Sequence, residues 1–205
     1  MFRLSRLIVW AIIGLLMPLS PAVQAGPAEE AQAVVKTVTD DVLAKLKSLD
    51  KASREDTKHV FALVNEVVVP HFDSVTMASW VLGKHWRSAS KDQKLDFTRE
   101  FRTLLVRTYG TALARYTDEK VVYDTPRADD KGERVKVPTR IVQTGGGPDI
   151  PISYSLRNRD GEWKVYDVVI DGISMVTNYR STYSQRIGQS GIDGLIQQLV
   201  AHNGA

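Results

Sequence analysis

Asp167 and Asp171 stand four residues apart at the end of the run Trp163-Lys-Val-Tyr-Asp-Val-Val-Ile-Asp171. On a strand that spacing puts both carboxylates on one face, as general acid/base chemistry would require. The commoner role of such a pair is structural, capping the helix that follows or pairing with an arginine such as Arg180. Of the four histidines, His59, His71, His85 and His202, only His71-Phe-Asp73 with His85 suggests a metal site, and its spacing matches no standard ligand pattern. Gly145-Gly-Gly-Pro148 lies between two strand patterns, so its amides do not crown a helix where phosphate could sit, and a hairpin loop is expected. Gly188-Gln-Ser-Gly191 follows a helical pattern and lacks the spacing of a nucleophile elbow, which leaves an inter-helix turn. Lys84, His85, Trp86 and Arg87 form a basic-aromatic cluster that could meet phosphate or an anionic partner, or simply face solvent. The chain has no cysteine, which excludes a thiol nucleophile, a disulfide framework, a cysteine-ligated metal and an acylated-cysteine anchor.

The elements that must hold these groups are legible from their periods. Ala31, Val34, Val35, Val38, Val42, Leu46 and Leu49 recur every three or four residues and predict an amphipathic helix over 29–49. Ser53 with Asp56 resembles a capping box opening a second helix through Val60, Phe61, Val64 and Val67, which must stop by Pro70. A short helix is expected over 74–82 with Gly83 as its stop. Ser90 with Gln93 should cap the longest helix, whose apolar positions run from Leu95 through Phe101, Leu104, Leu105, Tyr109, Ala112 and Leu113 to Tyr116.

Beyond Tyr116 the period falls to two: Val135, Val137, Thr139 and Ile141, then Ile150, Ile152, Tyr154 and Leu156. A turn at Asn158-Arg-Asp-Gly161 and a strand over 162–171 follow, giving about four strands in an antiparallel meander. Pro138 and Pro151 lack a donor and predict bulges or edge positions. Two helices, over 173–187 and 193–201, close the chain. Helices before and after one antiparallel sheet make an α+β domain with one apolar sheet face under helices. A filled core and an enclosed cavity demand the same apolar positions.

Arg3 and Arg6 precede an apolar run over 7–16 and the small-residue site Val23-Gln24-Ala25, the layout of an export leader cleaved near Ala25. That run is well short of the roughly 20 residues needed to span a bilayer. The remainder, 26–205, is expected to form a single domain in one or two lobes. Its formal charge falls from +3 to +1 without the two leader arginines, which argues against nucleic-acid binding and against strong adhesion to anionic membranes.

Three blocks in order resemble the MlaC family, the phospholipid-binding auxiliary components of toluene-tolerance ABC transporter systems. The first is Val69-Pro-His-Phe-Asp-Ser-Val-Thr-Met-Ala-Ser-Trp-Val-Leu-Gly-Lys-His-Trp-Arg87. The second is Phe97, Phe101, Leu104, Leu105, Thr108 and Tyr109, and the third runs from Asp167 to Ser181 and from Asp193 to Leu199. The resemblance covers nearly the whole chain after the leader. It implies an NTF2-like sheet subdomain with a helical subdomain around an apolar cavity, no catalysed reaction, and no cofactor, with bound phospholipid as cargo. It further implies a periplasmic, monomeric carrier that maintains outer-membrane lipid asymmetry. Its partners would be an inner-membrane ABC transporter complex, through that complex's periplasmic substrate-binding-domain subunit, and an outer-membrane lipoprotein–porin complex.

The pocket is then expected to be lined by Val69, Phe72, Met77, Val81, Leu105 and Tyr109 from helices and by Val137, Ile141, Ile152, Tyr154, Val165 and Val169 from the sheet. Ile173 and Val176 should close it at the junction, while Lys84 and Arg87 are expected at its rim for partner contact. Each apolar position is equally suited to ordinary core, while Met77 and Met175 could adapt to variable chains or simply fill gaps. The competing readings are a periplasmic interaction module with a filled core and no lipid, and a lipid-directed enzyme using Asp167 and Asp171.

Overall fold

The computed structural model describes residues 25–50, 52–53, 56–114, 119–143 and 145–204. Residues 1–24 of the leader expected over 1–25, and Tyr116, lie outside the described residues.

Helix α1 (Pro27–Ser48) starts at a proline, carries Glu29 and Glu30 in its first turn and Lys45 and Lys47 in its last, charges that complement the helix dipole. Its stripe of Ala31, Val35, Val42 and Leu46 is buried. Helix α2 (Thr57–Val67) is capped by Asp56, whose side chain accepts from the Lys58 amide at 2.9 Å. The expected Ser53 box does not form, because Ser53 bonds backward to the Asp50 carboxylate through its amide and hydroxyl. A 3-10 turn (Val69–His71) then leads into α3 (Ser74–Leu82), capped by Asp73 on the Thr76 amide and ended by Gly83 at φ +54°. After the short α4 (His85–Ser88), Ser90 and Gln93 cap each other reciprocally at 3.0 and 3.1 Å to open α5 (Lys91–Ala114).

Among the described residues the sheet holds six strands where about four were expected: β1 (Lys120–Tyr123), β2 (Arg127–Ala128), β3 (Arg134–Val142), β4 (Ile150–Arg159), β5 (Glu162–Ile170) and β6 (Ile173–Ser174). All pairs are antiparallel in the order β1-β3-β4-β5-β6, with β2 also beside β3. The additional strands are two to four residues long, too short to show an alternation. Pro138 faces the break between β1 and β2, where its carbonyl accepts from the Asp124 amide, so its missing donor removes no ladder bond. The carbonyl of Pro151 likewise accepts from Asp171, beyond the last β4–β5 pair, whereas the bulge itself lies at Ser155/Leu156.

Asp160-Gly161 and Asp171-Gly172 both make two-residue turns with positive φ at each position, the geometry that matches strand twist. The second turn corrects the expected helix start at Ile173: Ile173 pairs with Ile170 and Ser174 with Val169, and helix α6 begins at Met175. The two expected helices are the two segments of α6 (Met175–Gly204), which is broken at Gly191, where φ 71° and ψ −179° are not helical.

Three apolar clusters hold the layers. Phe97, Phe101 and Tyr183 lock α5 against α6, with the two phenylalanines stacked at 5.6 Å and Tyr183 edge-on to both. Ala31 and Val35 cover Val135, Val137, Leu156 and Trp163 of the sheet, and the Trp163 indole donates to Glu30. Leu46, Val60 and Val106 join α1, α2 and α5.

Candidate functional site

The helices do not close fully onto the sheet. A cavity of about 220 Å³ lies between them, walled by Val64 of α2, Val68, Val69, Phe72 and the start of α3, by α5, by Ile152 and Tyr154 of β4, and by Val168 and Ile170 of β5. Along α5 the wall runs from Phe101 to Leu113, about 18 Å at the rise of an α-helix. Gly110 permits this arrangement, since a Cβ there would stand 3.0 Å from the Phe61 ring. An apolar cavity of roughly 150 Å³ already stays dry and takes up hydrocarbon.

A second space of about 120 Å³ opens on the α1 side, against Val34, Val38, Thr39, Val42 and Leu43. Val68, Phe72 and Tyr154 wall both spaces and so separate them. Phe72 is fixed by its own backbone: its amide bonds Val69, it bridges Val165 of β5, and the next amide, of Asp73, donates to the Val165 carbonyl at 2.8 Å.

Of the residues expected at the pocket, Val69, Phe72, Met77, Leu105, Tyr109, Ile152 and Tyr154 stand around the larger space, and Val165 joins Phe72 and Tyr154 around the smaller. Val81, Val137 and Val176 are instead sealed in core clusters. Ile141 is half-buried and lines neither space, and Ile173 is 62% exposed at the sheet edge. Val169 pairs with Ser153 on the opposite face. The bulge explains that last placement: it inserts one residue into β5, so Val168 and Ile170 inherit the face that period-two counting from Val165 gives to Val169. Val64, Val68, Ser74, Phe101, Arg102, Val106 and Leu113 also line the larger space without having been anticipated there, and Met175 lines it too. Lys84 and Arg87 are exposed and line neither space.

The model of the MlaC protein family matches residues 36–201 of the chain. The chain belongs to the MlaC family. It is 24% identical over 168 residues to the "Intermembrane phospholipid transport system binding protein MlaC" of Haemophilus influenzae, covering 81% of this chain and 78% of that one. It is 27% identical over 161 residues to the "Toluene tolerance protein ttg2D" of Pseudomonas putida, covering 78% and 74%. The phospholipid-binding protein of Ralstonia solanacearum, solved in complex with a phospholipid, superposes with a TM-score of 0.78 at 32% identity, covering 85% of this chain and 97% of that one.

In this MlaC-family chain the carboxylates nearest the cavity, Asp73 and Asp167, are held in structural bonds. Burial pushes the Tyr154 hydroxyl up to about 12, so the ring stays neutral against the apolar lining. Burial of Asp73 works to raise its carboxyl, but hydrogen bonds from Thr76 and pairing with Arg157 hold it below the usual range. His71, beside the smaller space, is pushed down by burial and then by Lys164. Asp167 accepts from the Ser174 hydroxyl at 2.7 Å and from the Val176 amide at 3.1 Å, while Ser174 in turn accepts from the Thr177 amide. Asp167 therefore organises the first turn of α6. Asp171 occupies a turn at φ 50°, and the Arg180 guanidinium lies against Gly83. Among the described residues no group of three His, Asp or Glu side chains is placed to hold a metal ion.

Proposed function

We propose that this protein carries glycerophospholipid through the periplasm, shielding the acyl chains in the space between helices and sheet while the head group faces solvent. The observation that carries this reading is the apolar cavity, in a fold shared at 32% identity with a protein solved holding a phospholipid. Each methylene kept from water is worth about 0.8 kcal/mol, so two ordinary acyl chains of about 30 methylenes amount to more than about 20 kcal/mol that must be shielded in transit. A bilayer already keeps those chains dry, so the cavity gains little over it, and loading and release must be driven by partners or by opening of the cavity.

The partners in this reading are an inner-membrane ABC transporter complex, met through its periplasmic substrate-binding-domain subunit, and an outer-membrane lipoprotein–porin complex. The role is upkeep of outer-membrane lipid asymmetry by a monomeric carrier that catalyses no reaction.

Native mass spectrometry of the protein purified from cells, followed by denaturing lipid extraction, tests this. Bound glycerophospholipid at a defined ratio supports the carrier. A protein that is empty, and stays empty beside phospholipid vesicles, is an interaction module instead.

A further inference from the structure

Arg102 is the one charged side chain on the wall of the larger space among the described residues. It is exposed and also lines the space, so the one side chain touches both solvent and the cavity. Its charged neighbours on α5 are otherwise engaged. Arg99 pairs with Asp96 and Glu100, Glu100 also accepts from Asn203, and Arg107 donates to the Asn203 carbonyl. Arg102 has no carboxylate partner among the described residues. A guanidinium has a rigid fork of donors that matches a phosphate bidentately, and its alkyl stem tolerates an apolar surface beneath it.

We infer that Arg102 binds the phosphate of the lipid whose chains enter this cavity, and so makes the protein prefer phosphate-bearing over neutral lipids. This rests on the carrier reading. The wall from Leu105 to Leu113 accepts hydrocarbon, and the exposed cation beside it accepts the phosphodiester, so one amphipathic molecule satisfies both. Ser74 and Tyr109, the other polar side chains on that wall besides Tyr154, are uncharged and supply no countercharge.

The test offers delipidated protein equal amounts of dioleoyl phosphatidylglycerol and dioleoylglycerol in mixed micelles, then extracts and quantifies the bound lipid. Wild-type protein should favour phosphatidylglycerol by roughly tenfold, the scale of a charge-assisted hydrogen bond. R102A and R102Q should bring the ratio close to one, and R102K should keep part of the preference. An unchanged ratio in R102A and R102Q, in protein whose thermal unfolding matches wild type, overturns the assignment to Arg102 and leaves the carrier reading standing. Wild-type protein that takes up neither lipid overturns both. Millimolar inorganic phosphate should leave the ratio unchanged, and displacement of phosphatidylglycerol by phosphate would make this a site for the free ion.

Discussion

The Arg157 guanidinium reaches the buried carboxylate of Asp73 with Nη2 at 2.6 Å and Nε at 3.0 Å, joining two residues 84 positions apart. Asp73 caps α3, and Arg157 also donates to Thr76 in the same first turn. One carboxylate thus starts a helix and ties it to β4. Removing it leaves a partly buried guanidinium and an uncapped helix. D73A should lower stability by about 2–4 kcal/mol, the lower end reflecting the partial exposure of Arg157. Urea unfolding checks it, with an unchanged m-value expected.

The same carboxyl predicts an acid limb. Its folded pKa is depressed, so its stabilising contribution is complete above the unfolded value of about 3.9 and is lost as pH falls through the lower folded value. D73N should flatten stability against pH in that acid window and leave the slope near neutrality untouched. Unfolding curves collected from pH 2 to 7 would show it.

Val168 and Val169 are adjacent, yet only Val168 faces the cavity. Filling the space with V168W should cut lipid uptake by about tenfold or more while overpacking costs about 1–3 kcal/mol. V169W, on the other face, should leave uptake within about twofold. Lipid content after vesicle exposure distinguishes the two, and equal loss in both would remove the cavity from the account.

Gly83 ends α3 at φ +54° and ψ −121°, a region that side chains rarely enter, and a Cβ there would stand 2.9 Å from Nε of Arg180. G83A should destabilise by about 1–3 kcal/mol. Shortening Arg180 in the double mutant should recover the steric part and leave the backbone strain, giving non-additivity in a thermal-unfolding cycle.

Much of this architecture is written in local chemistry. The Ser90-Gln93 box, the Gly83 stop and the change from a period near four to a period of two are satisfied within a few residues of where they occur, so they can be read without the fold. Asp56 displaced Ser53 as a cap because the Asp50 carboxylate holds Ser53, a competition that spacing alone does not rank. The lining was harder to read, since a face is local but a void is not. Val137 and Ile152 alternate identically, yet α1 seals the first and the helices stand off from the second. Arg102 went unnoticed because a cation in an amphipathic helix ordinarily marks the solvent face.

The edges of the sheet carry a consequence for crowded solution. Along β5 one stretch of edge is occupied by Phe72 and Asp73 and another by β6. The opposite border consists of β1 and β2, four and two residues long and interrupted beside Pro138. Neither border offers the long, flat row of unpaired backbone donors and acceptors on which a second polypeptide could template itself. A protein with apolar walls around an internal space thus offers little to nucleate fibrils, since its large apolar cavity faces inward and the open backbone at its sheet border is short and interrupted.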